Sequence, residues 1–126
     1  MPKTSRDAVS EVVDHGPVED RTEHFDGYTV NFVTIKQDSD LTPLLKGLPD
    51  DSCQCPHWGY MFAGSMTVQY GERVETVEAG EAFYLPPGHV PMAAAGTDFV
   101  QFSPADELHK ISAVMERNTR AMMQQT

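Results

Sequence analysis

The sequence predicts an all-β fold, an antiparallel sandwich or barrel, followed by one C-terminal α-helix. Two observations carry this. Turn residues recur roughly every six to ten positions from Gly27 to Gly96, with short β-branched and aromatic runs between them. The pattern then changes at Ser103, where apolar residues take up helical spacing. A chain of 126 residues suits one domain with one modest core.

Residues 1–24 read as a polar N-terminal extension. Val9, Val12 and Val13 could dock as a short edge strand; a loosely held tail is the alternative. His15 and His24 are expected to be solvated. Gly27–Lys36 (GYTVNFVTIK) is apolar at both odd and even positions, which predicts a strand covered on both faces. Asp38–Asp51 is a connector with room for one helical turn, ended by Gly47 and Pro49. Gly64-Ser65 is expected to close a hairpin after Tyr60–Ala63. Met66–Tyr70, Arg73–Glu78, Ala82–Leu85, Val90–Ala94 and Asp98–Phe102 follow as strands, so that the barrel spans residues 25–103. Residues 104–126 form the helix, with Ser103 as its cap and Pro104 at its first position. Leu108, Ile111, Met115 and Met122 make its apolar stripe, and Arg117 and Arg120 suit its negative end. His109 is expected at the surface.

Charge narrows the partners. The net charge is −10, with only nine Lys plus Arg. This lacks the basic footprint of a nucleic-acid binder and disfavours an anionic membrane. No apolar run reaches the roughly 20 residues of a membrane helix, and the first residues lack a signal-peptide core. A cytoplasmic location is therefore expected. Two cysteines as Cys-x-Cys do not make a secreted disulfide framework; reduced thiols or metal thiolates fit better.

The chemistry gathers in Asp51–Gly64 (DSCQCPHWGYMFAG), which holds both cysteines and the only tryptophan. Asp51, Cys53, Cys55 and His57 alternate, so an extended segment would line them on one face. His89 in the Gly80–Pro91 segment is the natural partner. Cys53, Cys55, His57 and His89 form a donor set that favours zinc over iron or manganese. Four coordinated residues would make a closed, structural site; three would leave a position for a small molecule. Asp51 is an alternative ligand, a partner to a ligating imidazole, or a turn residue. Trp58, Tyr60, Met61 and Tyr84 are candidates to line a pocket, or else core. Gly59 and Ala63 would leave room inside. No nucleophile elbow or phosphate loop is present.

The second segment carries a family resemblance. Gly80, Pro86 and Gly88 stand at the spacing of the cupin motif G-x5-P-x-G-x2-H, although the histidine position is Pro91 and His89 lies two residues earlier. Counting back from Gly64, the first cupin motif, H-x-H-x3-E-x6-G, falls on Asp51, Cys53 and His57. The chain resembles small single-domain cupins with divergent metal-site motifs. The resemblance implies a jelly-roll barrel, a homodimer, and a divalent metal with a small-molecule ligand. Cupins include isomerases, dioxygenases, decarboxylases and pure binders, and fold does not choose among them. The expectation is a metal-binding cupin, zinc favoured, that takes a small polar molecule. A metal-free binding or sensor module and a purely structural zinc site are the alternatives.

Overall fold

The computed structural model describes the backbone of residues 3–124 and the side chains of residues 3–121. Met122, the last member of the expected helical stripe, lies outside the described side chains. Among the described residues ten strands form two antiparallel sheets: β1 (Glu11–Asp14), β2 (Val18–Phe25), β3 (Tyr28–Ile35), β4 (Ser39–Asp40), β5 (His57–Ala63), β6 (Ser65–Tyr70), β7 (Arg73–Glu78), β8 (Ala82–Leu85), β9 (Val90–Ala93) and β10 (Asp98–Pro104). One sheet has the order β1-β2-β3-β10-β5-β8, the other β4-β9-β6-β7. The helix α1 (Ala105–Gln124) follows. Among the described residues no helix is long and apolar enough to cross a membrane.

Glu11–Asp14 and Val18–Phe25 are paired strands, not a loose tail. β2 pairs along its whole length with β3 through a tight turn at Asp26-Gly27, both with positive φ. Such a turn matches the twist of the flanking strands. Arg6 fastens the segment before β1 through an ion pair to Asp98 at 2.7 Å.

Gly64 does something other than close a hairpin. β5 lies in the larger sheet and β6 in the smaller, so the chain turns a corner between sheets there. Gly64 has φ +78°, and a Cβ on it would collide with Thr97. The Thr97 hydroxyl bonds both the amide and the carbonyl of Ser65, pinning the corner.

Alternation along each strand sets the interior. Val33, Ile35, Met61, Met66, Val68, Phe83, Leu85 and Phe99 form the main core between the sheets. A second cluster lies beneath α1, where Leu45, Cys53, Cys55 and Ile111 are joined by Leu108 and Met115. The expected connector turn is a 3-10 turn over Thr42–Leu45. Asn118 holds it by donating to the carbonyls of Leu44 and Lys46 at 2.7 and 2.9 Å.

α1 begins one residue later than expected. β10 continues through Pro104, so Ser103 is a strand residue and not the helix cap. It is fully buried, and its hydroxyl is spent elsewhere.

Candidate metal centre

The chain from Pro49 to His57 is not one extended strand. Pro49–Asp51 forms a 3-10 turn in which Asp50 and Asp51 have positive φ. Pro56 has no N–H to give a ladder, and β5 starts only at His57. The alternation expected over Asp51–His57 is therefore broken, and its four side chains do not share a face. Asp51 is exposed, and its carboxylate accepts the Gly47 amide at 2.9 Å. It acts as a turn residue away from the cysteines and histidines.

Cys53 is held differently. It makes an isolated antiparallel bridge with His89. The Cys53 amide donates to the His89 carbonyl, and the Gly88 amide to the Cys53 carbonyl, both at 2.8 Å. This bridge carries the displaced histidine to the site. One potential ligand atom each from Cys53, His57 and His89 lies within 4.8 Å of the other two. Cys53 Sγ is 3.7 Å from His57 Nε2. Two such donors on one tetrahedral ion lie about 3.5 Å apart, given the bond lengths zinc prefers.

The far side of each ring is already engaged. His89 Nδ1 is 2.7 Å from the Pro86 carbonyl, which can only accept, so Nδ1 carries the proton and Nε2 the lone pair. His57 Nδ1 is 2.6 Å from the Ser103 hydroxyl. Both rings thus have the outer hydrogen bond that fixes a metal-ligating imidazole. The two rings meet edge-on with centroids 5.1 Å apart. Ser103 is the site residue that sequence reasoning missed, because its Ser-Pro pair reads as a helix start. Register supplies the missing signal: Phe102 pairs with Trp58, which puts Ser103 beside His57.

All three donors are buried, at 4, 6 and 1% exposure for Cys53, His57 and His89. Burial, then the neighbouring His89, pushes His57 down to about 3. Burial lowers His89 as well, against the opposing Pro86 hydrogen bond. Burial pushes the Cys53 thiol up to about 11. Without an ion the group is two neutral imidazoles and a thiol at neutral pH. Neutral imidazole is the ligating form, and only the thiol must lose a proton.

Cys55 lies outside this group. It is fully buried beside Leu45 and Ile111, with its thiol donating to the Pro56 carbonyl at 3.5 Å. Burial, then Cys53, pushes it up to about 12. The expected pocket residues also divide. Met61 is wholly inside the core, while Trp58, Tyr60 and Tyr84 stand on the outer face of the larger sheet. Gly59 leaves no room, because a Cβ there would fall on the Phe83 ring; Ala63 is exposed. A cavity of about 220 Å³ opens between β7 and β8, lined by Val68, Tyr70, Glu75, Phe83, Tyr84 and Leu85 among others. Leu85 pairs with His57 across the β5–β8 ladder. His15, His24 and His109 are exposed, as expected.

No protein-family model matches the chain, and no curated protein does. Solved structures do. A polyketide cyclase, RemF from Streptomyces resistomycificus, aligns with a TM-score of 0.60 at 16% identity, over 83% of this chain and 80% of that one. An RmlC-like cupin from Shewanella frigidimarina aligns at 0.54 and 16% identity, over 75% of this chain and 84% of that one. An oxalate decarboxylase from Bacillus subtilis aligns at 0.59 and 16% identity, over 80% of this chain but only 28% of that one. Such low identities speak to fold alone. With the two sheets and the glycine–proline motif at β8–β9, they establish that this chain has the cupin jelly-roll fold.

Proposed function

We propose that this chain is a small metal-binding cupin. One divalent ion, zinc in preference to iron or manganese, sits on Cys53, His57 and His89, and the remaining coordination position faces a small polar molecule. The carrying observation is the convergence of one thiol and two imidazoles whose outer nitrogens are already hydrogen-bonded. Thiolate with imidazole suits zinc. Three protein ligands, with Cys55 outside the cluster, favour an open site over a closed structural one. A bound ion supplies Lewis acidity. The protein's part is to hold each lone pair inward through Ser103 and Pro86 and to keep both imidazoles neutral. None of the three donors lines the cavity between β7 and β8, so the small-molecule reading rests on the open coordination position.

Metal content of protein purified under reducing conditions, without a metal-affinity column, tests this. About one ion per chain is expected, lost in His57→Ala and Cys53→Ala and kept in Cys55→Ala. Loss in Cys55→Ala as well would favour a closed structural site. A second reading has its own support: the Cys53 thiol can donate to His57 Nε2 across 3.7 Å, pairing both groups without metal. Under that reading no ion is retained even after reconstitution with zinc, iron and manganese, and the barrel is a metal-free binding module.

A further inference from the structure

The cavity between β7 and β8 lies at a seam. β7 ends the smaller sheet and β8 ends the larger one, so no ladder joins the two strands there. The cavity measures about 220 Å³, under the roughly 300–1,000 Å³ of pockets for drug-sized ligands, and so admits only a small occupant. Val68, Phe83 and Leu85 give it an apolar floor. Register fixes what else turns toward it. Val68 is opposite Glu75, Met66 opposite Val77 and Tyr70 opposite Arg73, and opposed residues share a face. Val68 and Met66 are core, so Tyr70 and Glu75 stand on the core-facing side of their sheet. Glu81 adds a second carboxylate, held in place by accepting the Glu78 amide at 2.7 Å. Among the described residues that line the cavity none is a Lys, Arg or His. None is a donor of the metal centre either, so the site does not depend on a held ion.

We propose that this cavity binds a small organic cation with N–H groups, an alkylguanidinium or alkylammonium, its head on Tyr70 and Glu75 and its tail on Val68, Phe83 and Leu85. The chain already seats such a head group beside it. The Arg73 guanidinium stands over the Tyr70 ring, 5.4 Å from the centroid, and reaches the Glu75 carboxylate at 3.4 Å. A ring face and a carboxylate are the two features that recognise a cation with N–H donors. The Arg73 and Glu75 side chains are 69 and 55% exposed, so their pairing is weak and easily exchanged. Arg73 does not line the cavity. An incoming cation therefore takes over its two contacts and adds the apolar floor. An inward-turned charge also guards a free sheet edge against pairing, but that role requires neither the Tyr70 ring nor an apolar cavity. The net charge of −10 draws cations to the chain and disfavours an anionic ligand.

Titration of butylguanidinium into the intact chain, followed by amide chemical shifts, tests this. Saturable shifts are expected at β7 and β8. Butylurea, the neutral analogue of the same shape, should bind about tenfold more weakly, because hydrogen bonds to charged groups are the stronger ones. Glu75→Gln should weaken butylguanidinium by about tenfold, the loss of one charge-assisted hydrogen bond. Tyr70→Leu should weaken it by roughly threefold, the loss of a part-exposed ring contact. Arg73→Gln should strengthen it, because the internal competitor is gone. Glu11→Gln, an equal charge change on β1, should leave it unchanged. The comparison of butylguanidinium with butylurea uses the wild type alone, so it decides the matter if a variant does not fold. Equal binding of the two probes, or no saturable shifts at β7 and β8, overturns the proposal. So does a Glu75→Gln variant that binds like the wild type, or a Glu11→Gln variant weakened as much as Glu75→Gln, which reduces the effect to net charge.

Discussion

Cys53 and Cys55 are the same residue two positions apart and share one buried cluster beneath α1, yet they mark two regions of it. Cys53 is bridged to β9 and touches His57; Cys55 packs under α1 against Leu45 and Ile111. The backbone separates them. Cys53 is held in its bridge to His89, whereas the chain bends at Cys55, ahead of Pro56 and the start of β5. Burial and residue type therefore do not identify a ligand. What distinguishes Cys53 is a pair of imidazoles whose other nitrogens are occupied.

Substitution should separate the two regions sharply. The largest effect is expected for Cys53→Ala and His57→Ala, which should each weaken zinc binding well beyond the roughly 10–100-fold cost of losing an outer hydrogen bond. Competition titration with a chelating dye measures this. Cys55→Ala should leave zinc affinity unchanged and instead cost about 1–2 kcal/mol of stability through lost packing. In the same cluster, Ile111→Ala should cost roughly 2–5 kcal/mol, measured by urea unfolding. If Cys55→Ala abolishes binding, the distinction between the two regions fails.

Ser103 gives a finer test. Ser103→Ala should reduce zinc affinity by roughly 10–100-fold by freeing the His57 ring, and Ser103→Thr should restore most of it. A merely structural Ser103 would change stability in both variants and spare affinity.

Proton linkage distinguishes the regions further. In the metal-free chain His57 is held down to about 3 and His89 is lowered too. Both stay neutral when folded, while unfolded histidine takes a proton near pH 6.5. The unfolded state then binds more protons, so stability is complete above about pH 6.5 and falls as pH drops toward 3. Thermal unfolding of the metal-free wild type against pH should show this slope, reduced in His57→Ala. Zinc binding at neutral pH should release about one proton, from Cys53, because both imidazoles start neutral. Calorimetry in buffers of different ionisation enthalpy counts it; release near two would bring Cys55 into the site.

Much of the strand plan was legible in the sequence. Arg73–Glu78 and Ala82–Leu85 match β7 and β8 to the residue, because turns bracket alternating runs. β2 escaped, since VEDRTEHF is a polar run that reads as tail. Asp26-Gly27 was the signal for it, a strong hairpin dipeptide ahead of a clear strand. The cupin motif placed His89 near the site even though its ligand position holds Pro91. Ser103 and the exclusion of Cys55 were not legible, because both depend on where a strand ends. Local composition at Ser-Pro and Cys-Pro does not set that; pairing across the sheet does.

Cobalt substitution tests the central claim most directly. With Cys53, His57 and His89 as ligands, the cobalt-loaded wild type should show a thiolate-to-metal charge-transfer band of one thiolate's strength. The band should be retained in Cys55→Ser and absent in Cys53→Ser. A band that survives Cys53→Ser, or that needs both cysteines, would contradict a three-ligand site on this group.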